Sequence, residues 1–576
     1  MDYLNNNISR ENIIFYLCRM RAKIAKRRNK EHLLHLLSNS EKYNYHIKEK
    51  LDIENKICEL MPNRRSWRKI GFAARYTKGI KINSIDKNIK TLITTIKWYE
   101  SNNPTADFLV RLNEFTADVQ NSINDINYRI TKPNIIPKLK DPRKDSNNVC
   151  RPISNYNLKD KIIISLVNKY LTDLLDGFFY KNSLAFRAPF YEKNEKKCLN
   201  HHDSIKLIKS YIESNSISDI WVSECDMRKF FDTVDHKVIE KQFNKLMIKA
   251  FKKFPEYFDS NAVKIFRNYL DSYSFNHNVY PLNRKQEYFD EFGIPDGSFG
   301  WVEDELKKEN YYKNVYTEKI GIPQGGALSG LIANIVLDIA DRSLNIYAKS
   351  NDFLYLRYCD DMIILSTSKK DSQNSTSKYV SCLKQLRLVP HKFEEVESNS
   401  KEYWKTKSKA PYQWKYSDGI QWIGFVGYEI NRHGFTRVRI SSLKKEMSKQ
   451  CKVIIEAKKA IDDKQRRASR GYIEESIIHR LIGMSIGRMS LWNYEEPIND
   501  LCWINGFTEI NKNPNSIKQH KALDKNRNKH FKEFLRTLGK MEEIDGKPID
   551  IKNSRQQIYY GKPFSYYYQA IEKTTR

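Results

Sequence analysis

The stretch Phe353-Leu-Tyr-Leu-Arg-Tyr358-Cys359-Asp360-Asp361-Met362-Ile-Ile-Leu-Ser366 restricts this chain more than any other. Apolar, β-favouring residues stand on both sides of two adjacent carboxylates. Two such runs joined by a short polar step predict a β-hairpin with Asp360 and Asp361 at its turn. Neighbouring carboxylates repel, and such a pair persists most readily where a divalent cation sits between it and its partners. A solvated turn also carries Asp-Asp, so the reading depends on what the remainder of the chain supplies.

Two further blocks supply it. The first is Trp221-Val-Ser-Glu-Cys-Asp226-Met-Arg-Lys-Phe230-Phe231-Asp232-Thr-Val-Asp235-His236, a strand pattern that delivers Asp226. The second is Gly321-Ile-Pro-Gln324-Gly325-Gly326-Ala-Leu-Ser329-Gly330-Leu-Ile-Ala333-Asn334, a glycine turn leading into an apolar helix that Ser329 is placed to cap. In this order the three blocks resemble the palm motifs of reverse transcriptases of the group II intron and retron-like superfamily. Tyr358-Cys-Asp-Asp361 matches that superfamily's Tyr-x-Asp-Asp signature.

The resemblance implies an α+β right-hand polymerase with fingers, thumb and an antiparallel palm sheet, plus helical N- and C-terminal extensions. It implies RNA-directed DNA synthesis, adding deoxynucleotides to a 3′-hydroxyl. Asp226, Asp360 and Asp361, with the backbone carbonyl of Met227, are the implied ligands of two Mg²⁺, or Mn²⁺, ions. Arg151 and Lys138 match the fingertip cations that grip the dNTP triphosphate. Phe231 matches the ring that excludes a ribose 2′-hydroxyl, Gln324 a contact to nucleotide or template, and Lys392 a general acid for pyrophosphate. Trp422, Gly424, Phe425 and Gly427 resemble the primer-grip hairpin, where glycines admit the primer and aromatics wedge against it. Ala185 and Gly330 depart from the pattern, standing where relatives carry Gly and Pro. His201-His202-Asp203 is read as the start of a helix, not a metal site.

On this reading residues 1–100 form a basic helical extension, 101–436 the fingers and palm, 437–500 a helical thumb and 501–576 a C-terminal extension. Residues 237–319 read as an insertion. Near the N-terminus Arg64-Arg65-Ser-Trp67-Arg68-Lys69, Arg75 and Tyr76 interleave cations with rings, which suits phosphate neutralisation and base stacking as well as a solvated helix face.

The 100 Lys and Arg against 70 Asp and Glu leave a net charge of +30, which points to a polyanionic partner. The partners expected are an RNA template or noncoding RNA, the DNA product, and a protein partner or second copy. No apolar run reaches the roughly 18 residues of a membrane span, and the polar, basic first 30 residues do not read as a secretory signal, so a cytoplasmic enzyme is expected. Nine scattered cysteines, none in Cys-x-x-Cys, suggest neither a disulfide framework nor a zinc site.

Lacking an endonuclease module and the retron-type Val-Thr-Gly tripeptide, the chain most resembles abortive-infection, defence-associated reverse transcriptases. A group II intron-type or CRISPR-associated enzyme is the alternative; an inert RNA-binding or chaperone protein is the alternative of another class. Tyr559, Tyr560, Tyr566, Tyr567 and Tyr568 raise protein priming from a tyrosine hydroxyl.

Overall fold

The computed structural model describes residues 3–38, 40–43, 52–77, 80–140, 148–192, 195–348, 353–395, 403–416, 421–463, 470–482, 484, 488–490, 493–498, 506–544 and 564–569. The chain forms two compact units. One comprises Met1–Ile13, Phe115–Val426 and Arg432–Gly434; the other comprises Ile14–Glu114, Gly427–Asn431 and Phe435–Arg576. These limits differ from the boundaries at 100, 436 and 500 expected from sequence.

The first unit is built on a five-stranded sheet. Ile220–Cys225 runs through its centre, antiparallel to Asp361–Ser366 on one side and to Ser408–Trp414 on the other. Phe353–Tyr358 closes the hairpin at one edge, and Phe393–Glu394 lies parallel to 408–414 at the other. Register runs from Ser366 opposite Trp221 to Met362 opposite Cys225. The strand residues are almost all buried, so they read as near-continuous apolar runs rather than alternating ones. The helix Lys369–Gln385 lies against the three central strands, and Ser329–Ala348 packs on Lys369–Gln385.

A second sheet pairs Asn134–Leu139 antiparallel with Val149–Asn155 and adds Ser298–Phe299 parallel to the latter. Phe275, Val279, Phe289 and Phe299 share one apolar cluster with Ile135 and Cys150. The 237–319 stretch is therefore not an appended insertion. It completes the core under these strands.

In the second unit, Ile440–Asp463, Arg470–Ile482 and Pro514–Ile544 bury Val453, Ile461, Ile473, Ile477, Phe534 and Leu538 against each other. Leu33 and Leu37, from the end of the helix Arg10–Leu37, belong to the same cluster. Segments expected to be an N-terminal extension, a thumb and a C-terminal extension thus share one core. Each such buried side chain contributes about 1.5–3 kcal/mol, and a core is indifferent to how far apart in the chain its members lie. Helices with mainly antiparallel sheets make this an α+β fold, as expected. Among the described residues no helix is long and apolar enough to cross a membrane.

Candidate active site

Asp226 is the first residue beyond the central strand. Its amide donates to Ser408 Oγ (3.0 Å), and its carbonyl accepts from the His391 amide (2.9 Å). Because Met362 stands opposite Cys225, Asp361 and Asp226 fall one step further along neighbouring strands, whose backbones run about 5 Å apart. Cys359 and Asp360 form the hairpin turn, with Cys359 at φ 59°, a left-handed backbone uncommon outside glycine. Burial first, and then the Asp226 charge, push the Asp360 carboxyl above its ordinary value. Asp361 is exposed.

The Asp226 carboxylate is paired with the Lys407 ammonium, and His391 Nε2 lies 3.8 Å from it. Burial and the Lys407 charge push His391 down to about 4, so its ring is neutral near pH 7. Burial also pushes Lys140 below its ordinary value, assisted by Lys229, Lys407 and Arg151. Four cations therefore gather where the acidic residues meet. Sequence reasoning singled out only Arg151 among them. A signal for Lys407 did exist: it sits two residues before Lys409, which pairs across the sheet with Glu224 (3.1 Å) as Lys407 does with Asp226.

The expected metal cluster is consequently not closed. Among the described residues no group of three or more His, Cys, Asp or Glu is arranged to hold a metal ion. Lys407 instead pairs with one oxygen of the Asp226 carboxylate. The side chains nevertheless fit a hard divalent ion: the candidate donors are carboxylate oxygens, and the Asp360 carboxyl faces both burial and a like charge.

The glycine turn lies against the loop after Asp226. Ile322 N donates to the Phe231 carbonyl (2.7 Å) and Gly321 N to that of Val234 (2.8 Å). Gly321 has φ +87°, and a Cβ there would stand 2.7 Å from Phe275 and 3.0 Å from the Asp232 carbonyl, so only glycine fits. Gln324 Nε2 donates to the buried Asp232 (2.7 Å), whose carboxyl burial pushes upward. The Gln324 carbonyl accepts from Ser154 N (2.9 Å), which ties it to the strand carrying Arg151. Phe230 is buried in the core, while Phe231 is half-buried beside it, the rings 5.4 Å apart and edge-to-face.

Residues 136–426, just over half of the chain, match the family described as reverse transcriptase (RNA-dependent DNA polymerase). The chain belongs to the reverse transcriptase family. This reverse transcriptase is therefore an RNA-directed DNA polymerase, a nucleotidyltransferase, of a family that generally uses divalent metal ions. Solved structures similar to it include apo telomerase from Candida tropicalis, with TM-score 0.32 and 12% identity over 85% of this chain and 79% of that one. Another is telomerase from Candida albicans in complex with a TWJ fragment of telomeric RNA, with TM-score 0.30 and 11% identity over 88% and 83%. At these scores the likeness is remote. No curated protein matches the chain.

Several residues singled out from the reverse transcriptase's sequence stand elsewhere than expected. Lys392 is exposed, with Nζ 3.4 Å from Glu394, and its neighbour His391 faces Asp226 instead; successive residues of an extended segment point to opposite sides. Lys138 is exposed opposite Arg151, which is also exposed. The bonds at Met227 run through the Asp226 carbonyl and the Arg228 amide, leaving the Met227 carbonyl out of that bridge. Trp422 and Phe425 are 6% and 4% exposed, so these rings pack inward rather than wedging outward. Gly424 is half-buried in the strand Ile423–Phe425, and Gly427 takes φ +91°.

Ser329 does not cap its helix; its hydroxyl bonds the Pro323 carbonyl (2.6 Å) and Tyr269 (2.8 Å). His201–Ser214 begins with a capping box between Asn200 and Asp203. Gly330 has its own reason: a Cβ there would stand 2.5 Å from the Phe186 ring, and Phe186 is held at φ 56°.

Tyr567 is fully buried, donates to the Phe507 carbonyl and packs on His520, so its hydroxyl is structural and not a primer. Tyr568 is half-buried with its hydroxyl against Ser516. Tyr559, Tyr560 and the Tyr566 side chain lie outside the described residues. In the basic N-terminal stretch, Arg21 and Arg64 lie over Trp67 (5.3 and 5.2 Å) and Arg68 over Trp98 (4.2 Å). Those faces are covered by the protein's own cations, whereas Phe72 is 73% exposed.

Proposed function

We infer that the acidic residues around Asp226 and Asp360 are the centre at which this polymerase joins deoxynucleotides to a 3′-hydroxyl. The observation that carries the reading is that Asp226, just past the central strand, lies beside the hairpin turn carrying Asp360, with Lys407 paired to it. Asp226, Asp360 and Asp361, with the Met227 carbonyl, would hold the divalent ions, Mg²⁺ foremost, once Lys407 releases Asp226. Ions held there would supply charge neutralisation at the triphosphate and would lower the pKa of the attacking hydroxyl.

The chain's own residues do the positioning. Arg151 offers a planar fork suited to paired phosphate oxygens, and Lys140 and Lys229 add charge beside it. Phe231 takes the place beneath the sugar and selects dNTPs. In this arrangement residues 115–426 carry fingers and palm, and helices of the second unit serve as thumb. Primer extension with Mg²⁺ on an RNA template tests the reading: the wild type extends, and Asp360→Ala with Asp361→Ala loses at least about a thousandfold, since positioning and charge neutralisation supply most of the barrier reduction. A variant that retained wild-type extension would refute it.

The finer reading is a defence-associated enzyme working with a noncoding RNA. It is supported by the net charge of +30 and the exposed Arg64, Arg65, Arg68, Lys69 and Phe72. Sequencing the nucleic acid that co-purifies tests it. One discrete noncoding RNA with a complementary DNA product is the expected result; recovery of intron RNA or of a CRISPR array transcript would redirect the assignment.

A further inference from the structure

Arg357 is the unusual residue of the hairpin. It is a cation inside the strand Phe353–Tyr358, fully buried, two residues before the turn residue Cys359. Its guanidinium reaches in three directions. Nε and Nη2 take the two oxygens of the buried Asp341 as a fork (2.8 and 2.5 Å). Nη2 also reaches Ser183 Oγ (2.6 Å) and Asn334 Oδ1 (3.3 Å). Nη1 donates to the carbonyl of Cys359 (2.8 Å). The backbone joins in: Arg357 N donates to Asn182 O (2.9 Å), and Leu184 N donates to Arg357 O (3.0 Å). Hairpin, helix Ser329–Ala348, segment 182–184 and turn all meet at one side chain.

A buried ion pair is weak evidence for stability, because desolvating two charges offsets most of their attraction; apolar replacements of similar volume are often neutral. The pair therefore calls for another account. The Nη1 bond falls on the peptide joining Cys359 to Asp360, at the residue forced to φ 59°. The orientation of that peptide decides where the Asp360 side chain points. We propose that Arg357 is a positioning residue for nucleotidyl transfer, clamping the Cys359–Asp360 peptide so that Asp360 stays beside Asp226 against their mutual repulsion. The proposal rests on the polymerase reading given above. A lysine does not substitute, since one ammonium cannot hold a carboxylate as a fork and span to the Cys359 carbonyl.

The test separates clamp from core. Asp341 also accepts from the buried Tyr355 hydroxyl (2.6 Å), so the replacement is Arg357→Met with Asp341→Leu and Tyr355→Phe. It removes the pair without stranding a charge or a buried hydroxyl, and the melting temperature stays within a few degrees of wild type. If Arg357 positions Asp360, kcat for primer extension nevertheless falls about 100-fold, the size expected for a misplacement near 1 Å. KM for dNTP changes by less than about twofold, because uniform binding is untouched, and amide hydrogen exchange across 359–361 speeds up. Arg357→Lys, which keeps a charge opposite Asp341, gives the same kcat loss and covers the case of a paired variant that does not fold. Recovery of kcat together with the melting temperature, or unchanged exchange at the turn, overturns the proposal. A wild type that extends no primer sinks the polymerase reading instead, while the exchange measurement still decides whether Arg357 holds the turn.

Discussion

At the scale of single residues, the centre is a contest for positive charge. Asp226 is satisfied by Lys407, and Asp360 has burial and Asp226 ranged against its ionised form. Removing the competing ammonium helps a metal ion: Lys407→Met is expected to tighten Mn²⁺ binding several-fold, read by electron paramagnetic resonance, since an exposed competing pair is worth roughly 0.2–1 kcal/mol. Unchanged or weaker binding would count against that competition. Phe231 makes a second residue-level prediction. Phe231→Ala is expected to lower discrimination for dNTP over rNTP by at least about tenfold, measured as a ratio of kcat/KM values. Persistence of wild-type discrimination would return Phe231 to the core.

At the scale of elements, the helix Ser329–Ala348 is shaped by the segment it meets. Gly330→Ala drives a methyl into the root of the Phe186 ring and is expected to cost about 1–3 kcal/mol by overpacking. Adding Phe186→Ala should recover most of that in thermal melts; no recovery would place the strain elsewhere. The helix Pro514–Ile544 carries a pH dependence. His520 is buried against Tyr567 and Tyr568, and burial pushes it down to about 4. The unfolded chain takes up this proton near pH 6.5 and the folded chain only near 4, so stability present above 6.5 is lost as pH falls through that window. Melting of wild type against His520→Phe between pH 7 and 4 checks the sign: the variant should show the shallower acid decline.

At the scale of the whole molecule, each of the two units draws on distant parts of the chain. Leu33 and Leu37 lie in the core formed by residues 453–538. Leu33→Ala or Leu37→Ala is expected to cost about 2–5 kcal/mol and to expose the 440–544 helices to limited proteolysis. If those helices stay protected, the N-terminal segment is dispensable to them. The charge of +30 predicts salt-sensitive RNA binding. Replacing Arg65 and Lys69 by Ala should flatten the slope of log K against log salt by about 1.4 for single strands. An unchanged slope would remove that stretch from the RNA path.

Four matters were decided by the order of residues alone. Local apolar patterning specified the hairpin 353–366, the strand before Asp226 and the helix after Gly326, and the resemblance of the three blocks carrying Asp226, Gln324 and Asp360 to palm motifs pointed to a reverse transcriptase, a family the chain does belong to. These features depend on neighbours within one element, where side-chain period and backbone preference are written directly. Tertiary structure decided the rest. It chose His391 over Lys392 and brought Lys407 to Asp226. It turned Trp422, Phe425 and Tyr567 inward, and it drew residues 237–319 into the first unit's core. Each outcome is a competition for burial or for a counter-charge between groups dozens or hundreds of positions apart, and no local pattern records who wins it.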